Sequence, residues 1–125
     1  MSDRTSLELD AQEAYEAVRR INHATIFPGD GIPAPVVYRT LGFLQSAGGY
    51  GLAQAVEQLA SGLGRFLATH DVYEDDGRNP AESVARATAA LGEAAELLRQ
   101  VGPLLDEAQA AISRQGYWTA RSGNR

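Results

Sequence analysis

The 125-residue chain contains no cysteine. That excludes a disulfide framework, a thiolate zinc site, an iron–sulfur cluster and a cysteine nucleophile. It contains no lysine either: all 11 basic residues are arginine, set against 16 acids, and the net charge is −5. The arginines are scattered, and only Arg19 and Arg20 adjoin. Nucleic-acid binding needs a concentrated positive footprint to displace phosphate counterions, and none is visible, so no nucleic-acid partner is expected. His23 and His70 are the two histidines, too few for a histidine-rich metal site. No apolar run approaches the roughly 18 residues of a membrane span, so no membrane partner is expected. The first ten residues lack a basic segment followed by an apolar one, which does not read as a signal peptide. The expected address is cytoplasmic.

What is present is an ordinary globular composition, 44% hydrophobic and 22% charged. A chain of this size can bury roughly two thirds of its unfolded surface, so one core without staples is feasible. A single helical domain is expected over residues 1–118, with a flexible tail over 119–125 that ends in small polar residues.

Glycine and proline punctuate four helical segments. The first spans residues 7–25. Thr5 or Ser6 can cap it, Glu8, Asp10 and Glu13 suit its positive end, and Glu16 and Arg20 are spaced for an ion pair. Its apolar stripe is Leu7, Ala11, Ala14, Val18, Ile21 and Thr25, at spacings of four and three. Residues 27–35, with three prolines and two glycines, form a loop. A short second helix over 35–47 is apolar most of the way round, and Gly48 and Gly49 end it.

The third helix spans 51–70, with the stripe Leu52, Val56, Leu59, Leu63, Phe66 and His70. Ala53, Ala60, Gly64 and Leu67 flank it, small enough in part to admit a neighbouring backbone. An acidic linker over 71–79 leads to a strong start signal: Asn79 as cap, Pro80 at the first position, Glu82 in the first turn. The fourth helix carries Val84, Thr88, Leu91, Ala95 and Leu98. The phase survives Pro103 as Val101, Leu105, Ala108 and Ile112. Preserved phase favours one long helix over 80–114, kinked at the proline, over two separate helices.

The fold class expected is therefore all-α: an antiparallel bundle of four main helices, with a short second helix and a long last one. The last helix, about 50 Å long at 1.5 Å per residue, should overhang the others and leave apolar residues uncovered.

Counted from Asp71, the acidic linker matches a calcium loop only in part. Asp71, Asp75 and Glu82 suit ligation, but Tyr73 does not, and Asp76 stands where the loop requires glycine. A solvated turn between antiparallel helices is the simpler reading. Gly29 and Gly31 precede a helix without the lysine or hydroxyl of a phosphate loop. No catalytic residue, cofactor or metal ligand is assigned. The most unusual stretch is 26–50, which holds Phe27, Tyr38, Phe43 and Tyr50 beside three prolines, with Asp30 as its one acid. Aromatics beside turns with few carboxylates suit a partner surface, or a short helix plugging a bundle. Tyr117 and Trp118 form a second candidate anchor.

The expected function is a non-enzymatic helical interaction module, an adaptor or regulatory subunit that binds a protein partner or itself as a homodimer. One alternative is a small-ligand- or metal-dependent bundle enzyme using His70, Asp71, Asp75 and Glu82. The other is a DNA-associated regulator, against which the acidic balance argues.

Overall fold

A computed structural model describes residues 5–27 and 29–119; the start of the chain, Pro28 and the expected tail beyond Thr119 lie outside the described residues. The described residues are helical, with no strand among them. The chain divides into two compact units, Met1–Ile32 and Pro33–Arg125.

The first unit holds α1, Ser6–Thr25. Thr5 caps it in a reciprocal box: its hydroxyl accepts from the Glu8 N–H at 3.2 Å, and its own N–H donates to the Glu8 carboxylate at 2.6 Å. The Thr25 hydroxyl donates back to the Ile21 carbonyl at 2.8 Å in the last turn. On the polar side Glu16 pairs with Arg19 at 3.1 Å and Arg20 reaches Glu13 at 3.9 Å, in place of the expected Glu16–Arg20 pair. Arg19 also lies 5.9 Å from the Tyr15 ring centre. These groups are all exposed, so small differences in side-chain reach select the partner. No residue of α1 is buried, and Leu7 and Val18 of its stripe are exposed.

The second unit corrects the expected helix count. Gly48 and Gly49 do not end a helix. Residues 34–69 form one unbroken rod: α2 (Ala34–Leu44), a π-helical segment (Gln45–Gly51) and α3 (Leu52–Thr69). With α1 and α4 (Pro80–Ala111) the described residues form three continuous helical rods, where four helices were expected. Pro33 and Pro35 launch the second rod: Pro33 is extended and its carbonyl accepts from the N–H groups of Val36 and Val37.

The π segment has a steric cause. Its wide turn is closed by the Leu52 N–H donating to the Ala47 carbonyl, five residues back. A β-carbon on Gly51 would stand 2.6 Å from the Ser46 carbonyl oxygen, so this turn tolerates only glycine there. The wide turn also changes the phase. Leu41, Gln45, Gly49 and Ala53 are all half-buried or buried, although a run of four-residue steps drifts around an α-helix of 3.6 residues per turn.

The rod ends at His70, which turns extended and stacks on Phe66, ring centres 3.8 Å apart and planes 7° apart. The linker reverses through Gly77, at φ 80°, where a side chain is disfavoured. Asn79 then caps α4, accepting from the Ala81 N–H at 3.0 Å, with Pro80 in the first turn. The helix runs unbroken through Pro103, as the preserved phase indicates.

The second rod and α4 form an antiparallel hairpin, each about 50 Å long at 1.5 Å per residue. Gly42 faces Gln109, Gly49 faces Gly102, and Glu57 pairs with Arg99. The numbers rise on one rod as they fall on the other. The expected overhang of a long last helix does not exist, because α2 and α3 together match α4.

Candidate interaction face

Four residues are buried among those described: Gly49, Ala53, Ala95 and Gly102. They are small because the rods nearly touch. A β-carbon on Gly49 would lie 3.1 Å from both N and Cα of Gly102, and 3.7 Å from the Leu98 carbonyl oxygen. On the same level the Tyr50 ring lies across Gly102, where a β-carbon would come within 2.5 Å of Cζ. The Gln109 amide donates to the Tyr38 carbonyl at 2.8 Å, near Gly42.

This seam corrects the expected stripes. On α3 it is Ala53, Val56, Ala60, Gly64 and Leu67, which are buried or half-buried. The bulky stripe of Leu52, Leu59, Leu63 and Phe66 stays 40–53% exposed. On α4 the seam follows the expected positions as far as Leu98, then uses Gly102, Leu105, Gln109 and Ile112. Val101 and Ala108 are exposed. Close approach favours glycine and alanine at the contact, so the bulkier neighbours are turned out.

A right-handed helix advances about 100° per residue, so the residue before a seam position lies to one side and the residue after it to the other. In an antiparallel pair the two helices run oppositely, and their seams face each other. Residues that precede the seam on both helices therefore emerge on the same side of the hairpin, and residues that follow it emerge on the other. The Glu57–Arg99 ion pair demonstrates this geometry: each follows a seam position, Val56 and Leu98, and the two meet.

The two sides differ in chemistry. Following the seam come Gln54, Glu57, Ser61, Arg65 and Ala68 on α3. On α4 the following residues are Ala85, Ala89, Gly92, Glu96, Arg99, Pro103, Asp106, Ala110 and Ser113, so the charged residues that flank the seam all lie on this side. Preceding it come Leu52, Ala55, Leu59, Leu63 and Phe66 on α3. On α4 they are Ala87, Ala90, Ala94, Leu97, Val101, Leu104, Ala108 and Ala111. Ser83, before Val84 at the turn end, is the one polar residue at these positions, and none of them is ionisable. Leu97 is 59% exposed and Leu104 64%. On the polar side, the hydrogen bond from Arg99 holds the Glu57 carboxyl below its ordinary range, with attraction to the guanidinium adding and desolvation opposing. The same bond raises Arg99.

The aromatics expected to contact a partner do not form one cluster. Tyr38, Phe43 and Tyr50 lie on the second rod and are exposed to different degrees, Phe43 the most. The Tyr50 ring is engaged against Gly102, and Tyr38 offers its carbonyl to Gln109. Tyr117 and Trp118 follow α4, both exposed, and with Gly116 they line a depression. Phe27 belongs to the first unit and is exposed. The leucines of the apolar face were legible as stripes, but not as an outward surface.

The residues of the alternative enzyme reading are not assembled. Among the described residues no group of three or more His, Asp and Glu side chains could hold a metal ion. The turn uses several of its acids internally: Asp76 accepts from the Arg78 N–H at 3.1 Å and pairs with its guanidinium at 3.0 Å, and Glu74 accepts from the Ser83 hydroxyl. No described helix is long and apolar enough to cross a membrane. Compared with known protein families, with curated proteins and with solved structures, the chain finds no match in any of the three.

Proposed function

We propose that this chain is a non-enzymatic helical interaction module whose working surface is the apolar side of the α3–α4 hairpin. One observation carries the reading: two largely apolar stripes without an ionisable residue share one side of a hairpin, and the charged residues that flank the seam all lie on the other. Its leucines and Phe66 are 40–64% exposed, and apolar side chains exposed side by side along a helix pair mark an interaction surface. Burying it is worth about 25 cal/mol per Å² before association costs are subtracted. The partner surface is apolar and helical, because stripes at spacings of three and four accept side chains from a near-parallel helix. A lipid surface fits less well. Helices that lie on membranes carry Lys and Arg on their polar side, and this chain has no lysine and a net charge of −5.

Sedimentation of the chain, both purified and in extract of its host, tests the proposal. A complex is expected in at least one setting, lost in Leu59→Glu and Leu97→Glu and kept in Ser61→Glu, with helicity retained in all three. A free 13.3 kDa chain in both settings overturns the proposal, as does a complex indifferent to both leucine substitutions.

A further inference from the structure

We infer that the occupant of this face is a second copy of the chain, related by a twofold axis that runs along the hairpin. The inference rests on the interaction-module reading and specifies its partner.

The face is complementary to itself. The register set by Gly49 opposite Gly102 and by the Glu57–Arg99 pair brings Leu59 level with Ala94, Leu63 with Ala90 and Phe66 with Ala87. At the turn end of the face, α3 is thus a ridge of large side chains and α4 a trough of alanines. One step further from the turn the relation inverts, with Ala55 level with Leu97. A twofold rotation about an axis parallel to the helices lays α3 of one copy over α4 of the other at the same level. Each ridge then enters the other copy's trough over this part of the face, and beyond it Leu52 lies level with Val101, where two large side chains meet. Large side chains set against small ones across facing helices are what a dense four-helix core requires.

Size and charge agree with this arrangement. A standard stable interface buries about 800 Å² per partner, and the two stripes extend along the whole of α3 and most of α4 to supply it. Each chain carries a net charge of −5, so copies meeting through a charged surface repel. The apolar stripes hold no ionisable residue. Two hairpins of equal rod length also meet without overhang, and the result is a four-helix bundle assembled from two chains.

Light scattering of the purified chain over a wide concentration range tests this arrangement. The expected mass is near twice 13.3 kDa. Ala90→Leu fills the trough and is expected to weaken the dimer about tenfold to a hundredfold. Adding Leu63→Ala to it exchanges ridge for trough and is expected to recover most of that loss. Ala89→Leu, on the polar side, leaves the dimer constant unchanged. Alanine to leucine is a mild change in a helix, and far-ultraviolet circular dichroism checks that each variant is folded. A purified chain that stays monomeric overturns the second-copy assignment. If such a monomer forms a leucine-dependent complex in host extract, the interaction-module reading survives. If it forms none, both fall. A dimer indifferent to Ala90→Leu, or one not recovered by the double exchange, overturns the proposed packing.

Discussion

The two sides of the hairpin are built from adjacent positions of the same helices: α4 sets alanines on both, yet the charged residues flanking the seam all stand on one side and the leucines on the other. One residue before the seam stand Leu59, Leu63, Phe66, Leu97 and Val101; one residue after it stand Ser61, Arg65, Glu57, Arg99 and Glu96. On the polar side Glu57 and Arg99 pair across the hairpin. The apolar side has no such internal solution. What separates them is the seam itself, and the seam is set by glycine and alanine. On α3 the seam takes Ala53, Ala60 and Gly64, and the leucines one residue before them, Leu52, Leu59 and Leu63, are left for another surface.

The largest effect should come from breaking the line that separates the two sides. Gly49→Val sets a branched side chain against the backbone of Gly102 and is expected to cost about 1–3 kcal/mol in urea unfolding. It should also weaken the Glu57–Arg99 contact, because the rods must part. Asn79→Ala removes the cap of α4 without touching either side, at an expected cost of about 1 kcal/mol. Gly48→Ala sharpens the contrast with its neighbour. Open space surrounds a β-carbon there, so a gain of about 0.5 kcal/mol is expected from reduced backbone freedom in the unfolded chain.

The smallest effect belongs to the polar side. The folded carboxyl of Glu57 is lowered by Arg99. Its stabilisation is therefore present above the ordinary glutamate value and is lost as pH falls through the lowered folded value. The stability difference between the chain and Glu57→Gln should shrink on acidification, and both groups are exposed enough that it starts small. A difference that grows on acidification contradicts the assigned pairing.

Much of the hairpin was legible in the sequence where one local cause acts alone. Thr5, one of the two expected caps of α1, Asn79 with Pro80, and the phase carried through Pro103 reappear as caps and an unbroken helix, while the reciprocal bond from Thr5 to Glu8 is added by the structure. Gly48 and Gly49 were misread because glycine usually punctuates. Here Gly49 admits a crossing backbone, and Gly51 admits a wide turn, and neither use is local. The bulky and small stripes of α3 were both visible, one residue apart. Periodicity cannot say which of two adjacent stripes packs inward; only the closeness of α4 decides for the small one. The expected uncovered apolar surface exists, but it is a side of the hairpin instead of an overhanging end. The aromatics of residues 26–50 drew attention by composition, whereas the face is made of leucines that look like ordinary core.

The absence of cysteine makes one measurement especially direct. Single substitutions Leu59→Cys, Leu97→Cys and Ser61→Cys place a thiol on the apolar side twice and on the polar side once, and the rate of alkylation is followed as chain concentration rises. Slowing modification at Leu59→Cys and Leu97→Cys, with a fast and constant rate at Ser61→Cys, is the predicted result. Equal rates at all three positions, unchanged by concentration or by host extract, would contradict the claim that the apolar side is the docking surface.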